Sequence, residues 1–289
     1  LRDIDNFSQK NKGKWEFFKA SIDDKVSMES IFKKISPDVV VNLAAQAGVR
    51  YSIENPSSYV QSNLVGFSVI LELSNIFNVK HLVYASSSSV YGGNNDFPFS
   101  ENQKVNNPLS FYASTKISNE MMANAYSYIF KIPITGLRFF TVYGPWGRPD
   151  MAPMIFAKNI FSKKPISIYN HGKMSRDFTF ISDIVEATYL CCLKPPNIIK
   201  NTGDSSTSNL HKIFNVGNGQ PVNLLRFIDL IENALSIKAI KSFEEIQPGD
   251  VEKTFSDTTL LKNWINYQPK IGIEKGVDIF VKWFLNYYV

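Results

Sequence analysis

Within this chain of 289 residues, Tyr112-Ala-Ser-Thr-Lys116 and the serine run Ser86-Ser87-Ser88-Ser89 are the residues best suited to chemistry. Side chains four apart share one face of a helix, so the Lys116 ammonium can approach the Tyr112 phenol. A nearby cation favours the phenolate and lowers the tyrosine pKa toward working pH. A serine hydroxyl in reach could share the proton or polarise a substrate oxygen. Ser87 lies 25 residues ahead of Tyr112. A Tyr/Lys pair at this spacing is, by itself, equally an ordinary helix-surface pair. The serine cluster closing a buried strand turns it into a proton-transfer site.

The elements that must position these groups alternate. Trp15-Glu-Phe-Phe-Lys-Ala20 reads as a strand, and Ser21-Ile-Asp-Asp24 can cap a helix from Lys25 to Ile35 with Val26, Ile31, Phe32 and Ile35 on its apolar face. Asp38-Val-Val-Val-Asn-Leu-Ala-Ala45 is a continuous apolar run of the kind found in parallel strands buried on both faces. A helix over 56–77, a strand over 80–86, a helix over 110–130 and a strand over 133–140 follow. Strand and helix at this rhythm predict an α/β fold with a doubly wound parallel sheet, whose ligands gather beyond the carboxyl ends of the strands. Asn42, Ala44, Ala45, the serine run and Thr141 all fall there. After Pro145 the expected elements are a helix at 151–161, strands at 166–169 and 176–181, and a helix at 184–193. A strand at 212–216 and helices near 224–235 and 276–284 complete the pattern. Residues 1–145 and about 179–217 are expected to form the sheet domain, and about 146–178 and 218–289 a smaller, interleaved substrate-binding lobe. Residues 1–14 and 201–209 read as polar loops.

Composition narrows the function classes. Hydrophobic residues make up 44% of the chain, enough for a sizeable core, and the net charge of +5 comes from scattered lysines rather than a basic stripe, so nucleic acid is not an expected partner. His81, His171 and His211 have no ligand spacing, so no metal is expected. Cys191 and Cys192 are neighbours, a poor geometry for pairing, and read as reduced core residues. No apolar stretch reaches the roughly 18 residues of a membrane span. A soluble, cytoplasmic protein is expected.

Val83-Tyr-Ala-Ser-Ser-Ser-Ser-Val-Tyr-Gly92, Tyr112-Ala-Ser-Thr-Lys116, Leu137-Arg-Phe-Phe-Thr-Val-Tyr-Gly-Pro145 and Arg176-Asp-Phe-Thr-Phe180 resemble successive motifs of the extended short-chain dehydrogenase/reductase family. Ala44-Ala-Gln-Ala-Gly-Val-Arg50 and Gly147-Arg-Pro-Asp-Met-Ala152 are similar to segments of its nucleotide-sugar epimerases, in particular those acting on UDP-glucuronate. The resemblance implies NAD as cofactor, a UDP-sugar as substrate and C4 epimerisation, with UDP-glucuronate converted to UDP-galacturonate. It makes Tyr112 the catalytic base, Lys116 its partner and holder of the nicotinamide ribose, and Ser87 a hydroxyl near the sugar. Ser21, Ile22, Leu43, Ala44 and Ala45 would lie along the cofactor, Ser21 where many relatives have an aspartate. Ser88 and Ser89 stand where sugar dehydratases have an aspartate and a glutamate. Serines cannot act as that acid and base, so dehydration is disfavoured, but they can donate to a sugar carboxylate. Thr141 joins them at the substrate. Arg176 is expected on the diphosphate or else in an ion pair with Asp177, Tyr169 on uracil and Asp250 on the ribose. Some relatives have an arginine at the position of Gln247. Arg148 could bind a substrate carboxylate, a phosphate or its own loop. Asn63 is expected near the active site or as a helix-capping or exposed amide. The family association implies a homodimer through the helices at 57–77 and 110–130, and surface polysaccharide synthesis is a natural pathway.

One departure stands out. Family members open with a strand, a Gly-x-x-Gly-x-x-Gly turn and a helix that receives the cofactor pyrophosphate. No such turn occurs here; the first glycine is Gly13. Residues Leu1 to Phe7 resemble the end of the loop after the second strand, so an N-terminally truncated chain lacking the first βαβ unit is expected. Loss of that unit would strand the third family strand, expose the edge of the fourth and weaken cofactor binding. The rival readings are a 4-epimerase or decarboxylase acting on another UDP-sugar, and a non-catalytic nucleotide-sugar binder.

Overall fold

A computed structural model of the chain describes residues 14–197, 210–247 and 249–288. All but Lys14 of the polar loop expected over 1–14, the polar loop expected over 201–209, and the proline between Gln247 and Gly249 lie outside the described residues.

Helix α1 (Lys25–Ile35) starts where the Asp24 carboxylate accepts the Ser27 backbone N–H at 3.1 Å and ends at Ser36, whose φ of 48° turns the chain left-handed ahead of Pro37. Only Phe32 of its expected apolar face is buried; Val26 is 80% exposed. Strand β1 (Val39–Asn42) follows, then the short helices α2 (Tyr51–Glu54) and α3 (Pro56–Tyr59). A π-helical turn over 60–65 leads into α4 (Gly66–Ile76), so the single helix expected over 56–77 carries an inserted residue. Strand β2 (His81–Ser87) runs into a 3₁₀ turn, Ser88–Tyr91. Helix α5 (Phe111–Phe130) is capped by the Ser110 hydroxyl, which accepts the Ala113 N–H at 3.1 Å, and is followed by β3 (Ile134–Phe139) and β4 (Thr141–Tyr143). Then come α6 (Ala152–Phe161), β5 (Pro165–Tyr169), β6 (Ser175–Phe180), α7 (Ile181–Cys192) and β7 (His211–Val216). The remainder is β8 (Pro221–Asn223), α8 (Leu224–Leu235), β9 (Ile240–Glu244), α9 (Thr259–Ile265) and α10 (Ile273–Tyr288).

Strands β1, β2, β3 and β7 form a parallel sheet in that order. Alternate residues of β2 enter opposite layers: Leu82 and Tyr84 pack with Phe67, Leu71 and Leu73 of α4, whereas Val83 packs with Ile184, Ala187 and Cys191 of α7. The sheet is therefore covered on both faces, as the doubly wound reading requires. Leu71, Leu73, Leu82 and Leu137 are 0% exposed, and each such side chain stabilises the fold by about 1.5–3 kcal/mol. A third core joins α6, β5, β6, α8 and α10, with Phe178 and Phe227 stacked at 4.2 Å. It is edged by the small sheets β4-β6-β8 and β5-β9.

Three expectations are corrected at the start of the chain. The third family strand is not stranded and the edge of the fourth is not exposed, because β1 pairs with β2 from Val39 and His81 to Asn42 and Tyr84. Residues 15–20 carry no regular structure, because a strand needs a neighbouring strand and among the described residues none pairs with them. The run 38–45 is an edge strand rather than a doubly buried one: Val39, Val41 and Leu43 are 41%, 43% and 57% exposed. Beside it, residues 14–22, α1 and β1 enclose an open apolar cavity of about 600 Å³. Cys191 and Cys192 are free thiols, the first buried. Among the described residues no helix is long and apolar enough to cross a membrane, and no group of His, Cys, Asp and Glu could hold a metal.

Candidate active site

Three strand ends and the first turn of α5 converge. Ser87 closes β2, Thr141 opens β4 next to β3, and Tyr112 and Lys116 stand one turn apart at the start of α5. The Lys116 Nζ is 6.0 Å from the Tyr112 ring centroid and donates to the Ala85 carbonyl at 2.7 Å. Burial pushes the Lys116 ammonium down to about 8, opposed by the charge of Glu120 one turn further along. The phenol departs from expectation. Burial raises the Tyr112 pKa, and the groups pulling against it are the Ser87 hydroxyl and the Arg148 guanidinium rather than Lys116. One Lys116 N–H is directed at the β2 backbone.

Beneath this pair lies a network absent from the sequence reading. Glu120, 0% exposed, accepts from Ser86 Oγ at 2.6 Å and from Arg138 through Nε and a terminal nitrogen at 2.9 and 2.8 Å. Arg138 also donates to the Tyr91 hydroxyl at 3.0 Å, which donates to Asn215 at 2.6 Å. The bridge ties the end of β2 to α5 and β3, fixing the serine run against the Tyr112 helix. Its signal in the sequence was Glu120 at four residues from Lys116, with Arg138 buried in an apolar strand.

Ser88, Ser89, Thr141, Arg176 and Asp250 line one cavity of about 150 Å³, together with Val49 and Leu109. The turn after Ser87 aims both serines there, because the Ser89 N–H bonds to the Ser87 hydroxyl at 3.2 Å. Arg176 donates to the Ser175 and Glu252 carbonyls, both at 3.1 Å; burial lowers its pKa and the charge of Asp250 opposes this. The expected alternative, an ion pair with Asp177, does not form. The Asp177 carboxylate instead accepts the backbone N–H groups of Asn218, Gly219 and Ser256 at 3.0, 3.1 and 2.9 Å, and the Ser256 hydroxyl. Arg148 makes a two-pronged contact to Asp150 at 3.0 and 2.6 Å, within its own loop.

Asn63 is neither a cap nor exposed. It accepts the Gln46 N–H at 2.8 Å and donates to the Gln46 carbonyl and to Thr115 Oγ1, each at 3.0 Å, holding the 44–50 loop against α5. Tyr169 and Asp250 are joined by a residue not singled out from sequence. The Arg50 guanidinium lies 4.6 Å from the Tyr169 ring centroid and 3.0 Å from the Asp250 carboxylate. Of the residues expected along a cofactor, Ile22, Leu43 and Ala44 line the 600 Å³ cavity beside β1. Ala45 is half-buried, and Ser21 is exposed and donates to Asp23.

The sequence profile of the family described as GDP-mannose 4,6 dehydratase matches residues 1–280. The chain belongs to this family. Within it, the resemblance to the extended short-chain dehydrogenase/reductase epimerases holds. Protein CapI of Staphylococcus aureus is 48% identical over 98% of this chain and 86% of its own length. A probable UDP-glucuronate 4-epimerase of Rhizobium meliloti is 43% identical over 92% of this chain and 80% of its own length. Among solved structures, the UDP-glucuronic acid 4-epimerase of Bacillus cereus, in complex with UDP-glucuronic acid and NAD, is 28% identical with a TM-score of 0.84, covering 96% of this chain and 85% of that one. The UDP-glucose 4-epimerase of Thermotoga maritima, with UDP-glucose, matches at 28% identity and a TM-score of 0.84 over 94% and 85%.

Proposed function

We propose that the chain acts in NAD-dependent 4-epimerisation of a UDP-sugar, with UDP-glucuronate converted to UDP-galacturonate. The observation carrying this reading is the convergence of Tyr112, Lys116 and Ser87 at the end of β2, where the next two residues, Ser88 and Ser89, line a cavity with Thr141, Arg176 and Asp250 and supply no acid or base of their own. The named activities of the Rhizobium and Bacillus relatives support it.

The donor set suits the nicotinamide end of NAD. A lysine ammonium and a tyrosine hydroxyl can hold ribose hydroxyls, and Leu43, Ala44, Ala45, Ile22 and Ser21 would follow the cofactor toward its adenosine end. NAD, when bound, supplies the hydride acceptor and donor at C4. As phenolate, the form that burial disfavours and that the Ser87 hydroxyl and the Arg148 charge favour, Tyr112 takes the proton from the C4 hydroxyl and returns it; Ser87 hydrogen-bonds the same oxygen, and Lys116 holds positive charge nearby. Arg176 grips the diphosphate, Tyr169 and Asp250 take the uracil and ribose, Ser88 and Ser89 donate to the sugar carboxylate, and Arg148 leaves Asp150 for an anionic oxygen. Held by its diphosphate, the 4-keto sugar can turn and present its other face. No net oxidation results.

The same proposal includes residues 1–145 with 179–217 as the cofactor domain and 146–178 with 218–289 as the substrate lobe. It also includes a cytoplasmic location, a role in polysaccharide synthesis, and a homodimer across α4 and α5, whose Ile76, Met121, Tyr128 and Ile129 are 49–62% exposed. UDP-glucuronate carrying deuterium at C4 tests the reaction. With NAD supplied, the product should keep its label, and Tyr112→Phe should lower turnover by about 10³-fold. Loss of label to solvent, or release of carbon dioxide, would contradict the scheme.

A further inference from the structure

Arg50 occupies a place that its sequence position did not announce. Its planar guanidinium covers the Tyr169 ring at 4.6 Å and pairs with Asp250 at 3.0 Å, so one side chain engages both groups assigned above to a nucleoside. The contact is built into the backbone. Gly48, with a φ of +110°, turns the 44–50 loop, and Gly249, with a φ of +81°, lets the facing turn approach so closely that an added Cβ would lie 3.0 Å from the Val49 side chain. Asn63 anchors the far end of the loop through Gln46. The neighbouring cavity, about 150 Å³, falls below the roughly 300–1,000 Å³ typical of ligand pockets, as it should if one end of the site is filled from within.

We propose that Arg50 determines the selectivity of the nucleoside subsite by filling it in the free protein. A ligand gains entry by replacing both contacts, offering a flat ring to Tyr169 and a hydroxyl donor to Asp250. A base or a sugar alone replaces only one and leaves the other in place. The guanidinium suits this task because it resembles a base in being planar and a ribose diol in being a donor. Its side chain is 48% exposed, so it can swing into water without burying an unpaired charge. This inference rests on the assignment of Tyr169 and Asp250 to a nucleoside.

Calorimetric titration of the full chain with uridine, which carries no phosphate and no charge, tests it. Arg50→Ala should bind uridine about fivefold more tightly, since a stacking contact and a partly exposed ion pair no longer compete. Affinity of the unsubstituted chain should rise with salt, which screens the Arg50–Asp250 pair, while that of Arg50→Ala should be salt-independent. Tyr169→Ala and Asp250→Asn should weaken uridine in the Arg50→Ala background. If they weaken it but Arg50→Ala binds no more tightly than the parent, or retains a salt dependence, Arg50 is a ligand or a bystander and the proposal fails alone. If neither changes uridine binding in that background, the nucleoside assignment falls and the proposal with it.

Discussion

Along the β1 edge, apolar side chains meet solvent: Val39 and Val41 stay more than 40% exposed, and the neighbouring cavity is walled by Trp15, Phe18 and Ile31. Around β6 the opposite holds. Asp177 satisfies three backbone donors from two separate loops, and in the first turn of α7, which follows β6 directly, the Asp183 carboxylate accepts Tyr267 Oη at 2.8 Å and the N–H groups of Lys270 and Ile271 at 3.1 and 2.9 Å. Buried carboxylates that collect backbone donors fix loops at one place in space, whereas an apolar edge strand with no further strand paired to it among the described residues holds its neighbours only by partial burial. In the proposed assignment, the substrate side is thus the half fixed by hydrogen bonds, and the cofactor side the open one.

The sharpest way to break this comparison is Asp177→Ala. It leaves one buried and two part-buried N–H groups without acceptors and should cost about 4 kcal/mol in urea unfolding. A loss below about 1 kcal/mol would show that water takes the place of the carboxylate. A second test uses Val41 and its register partner Val83, which is 0% exposed. Val83→Ala should cost about 2 kcal/mol and Val41→Ala less than about 0.5. Equal losses would mean that the β1 edge is covered in solution. The smallest effect concerns acid. Burial raises the Glu232 carboxyl of α8, but hydrogen bonds from Lys238 and Lys241 outweigh it and hold the pKa at about 2, below the ordinary 4.5. An acid held below its unfolded pKa contributes stability above pH 4.5 that disappears as pH falls toward about 2. Glu232→Gln should therefore lower the urea midpoint at pH 6 more than at pH 3. A uniform change would place the effect in packing.

Legibility differed by element. Helix α5 and strand β3 fall within a residue or two of expectation because capping, periodicity and proline punctuation are local signals. Helix α8 spans 224–235 as read, for the same reason. Strand β9 and helix α9 went unread: β9 is held by parallel pairing with β5, 71 or more residues earlier, and α9 by contact with β7 and α7. The strand expected over 15–20 failed because strand formation depends on a neighbour that local sequence does not encode.

Sequence by itself determined which residues form the proposed site. The Tyr112/Lys116 spacing, the serines in place of an acid and base, and the strand ends that carry them are all properties of short segments. Tertiary structure alone decided the state of those groups. It placed Lys116 on the Ala85 carbonyl, paired Glu120 with Arg138 across 18 residues, and brought Arg50 to Asp250 across 200. A residue's type says which bonds it can make; its proton and its partner depend on burial and on neighbours delivered by remote parts of the chain.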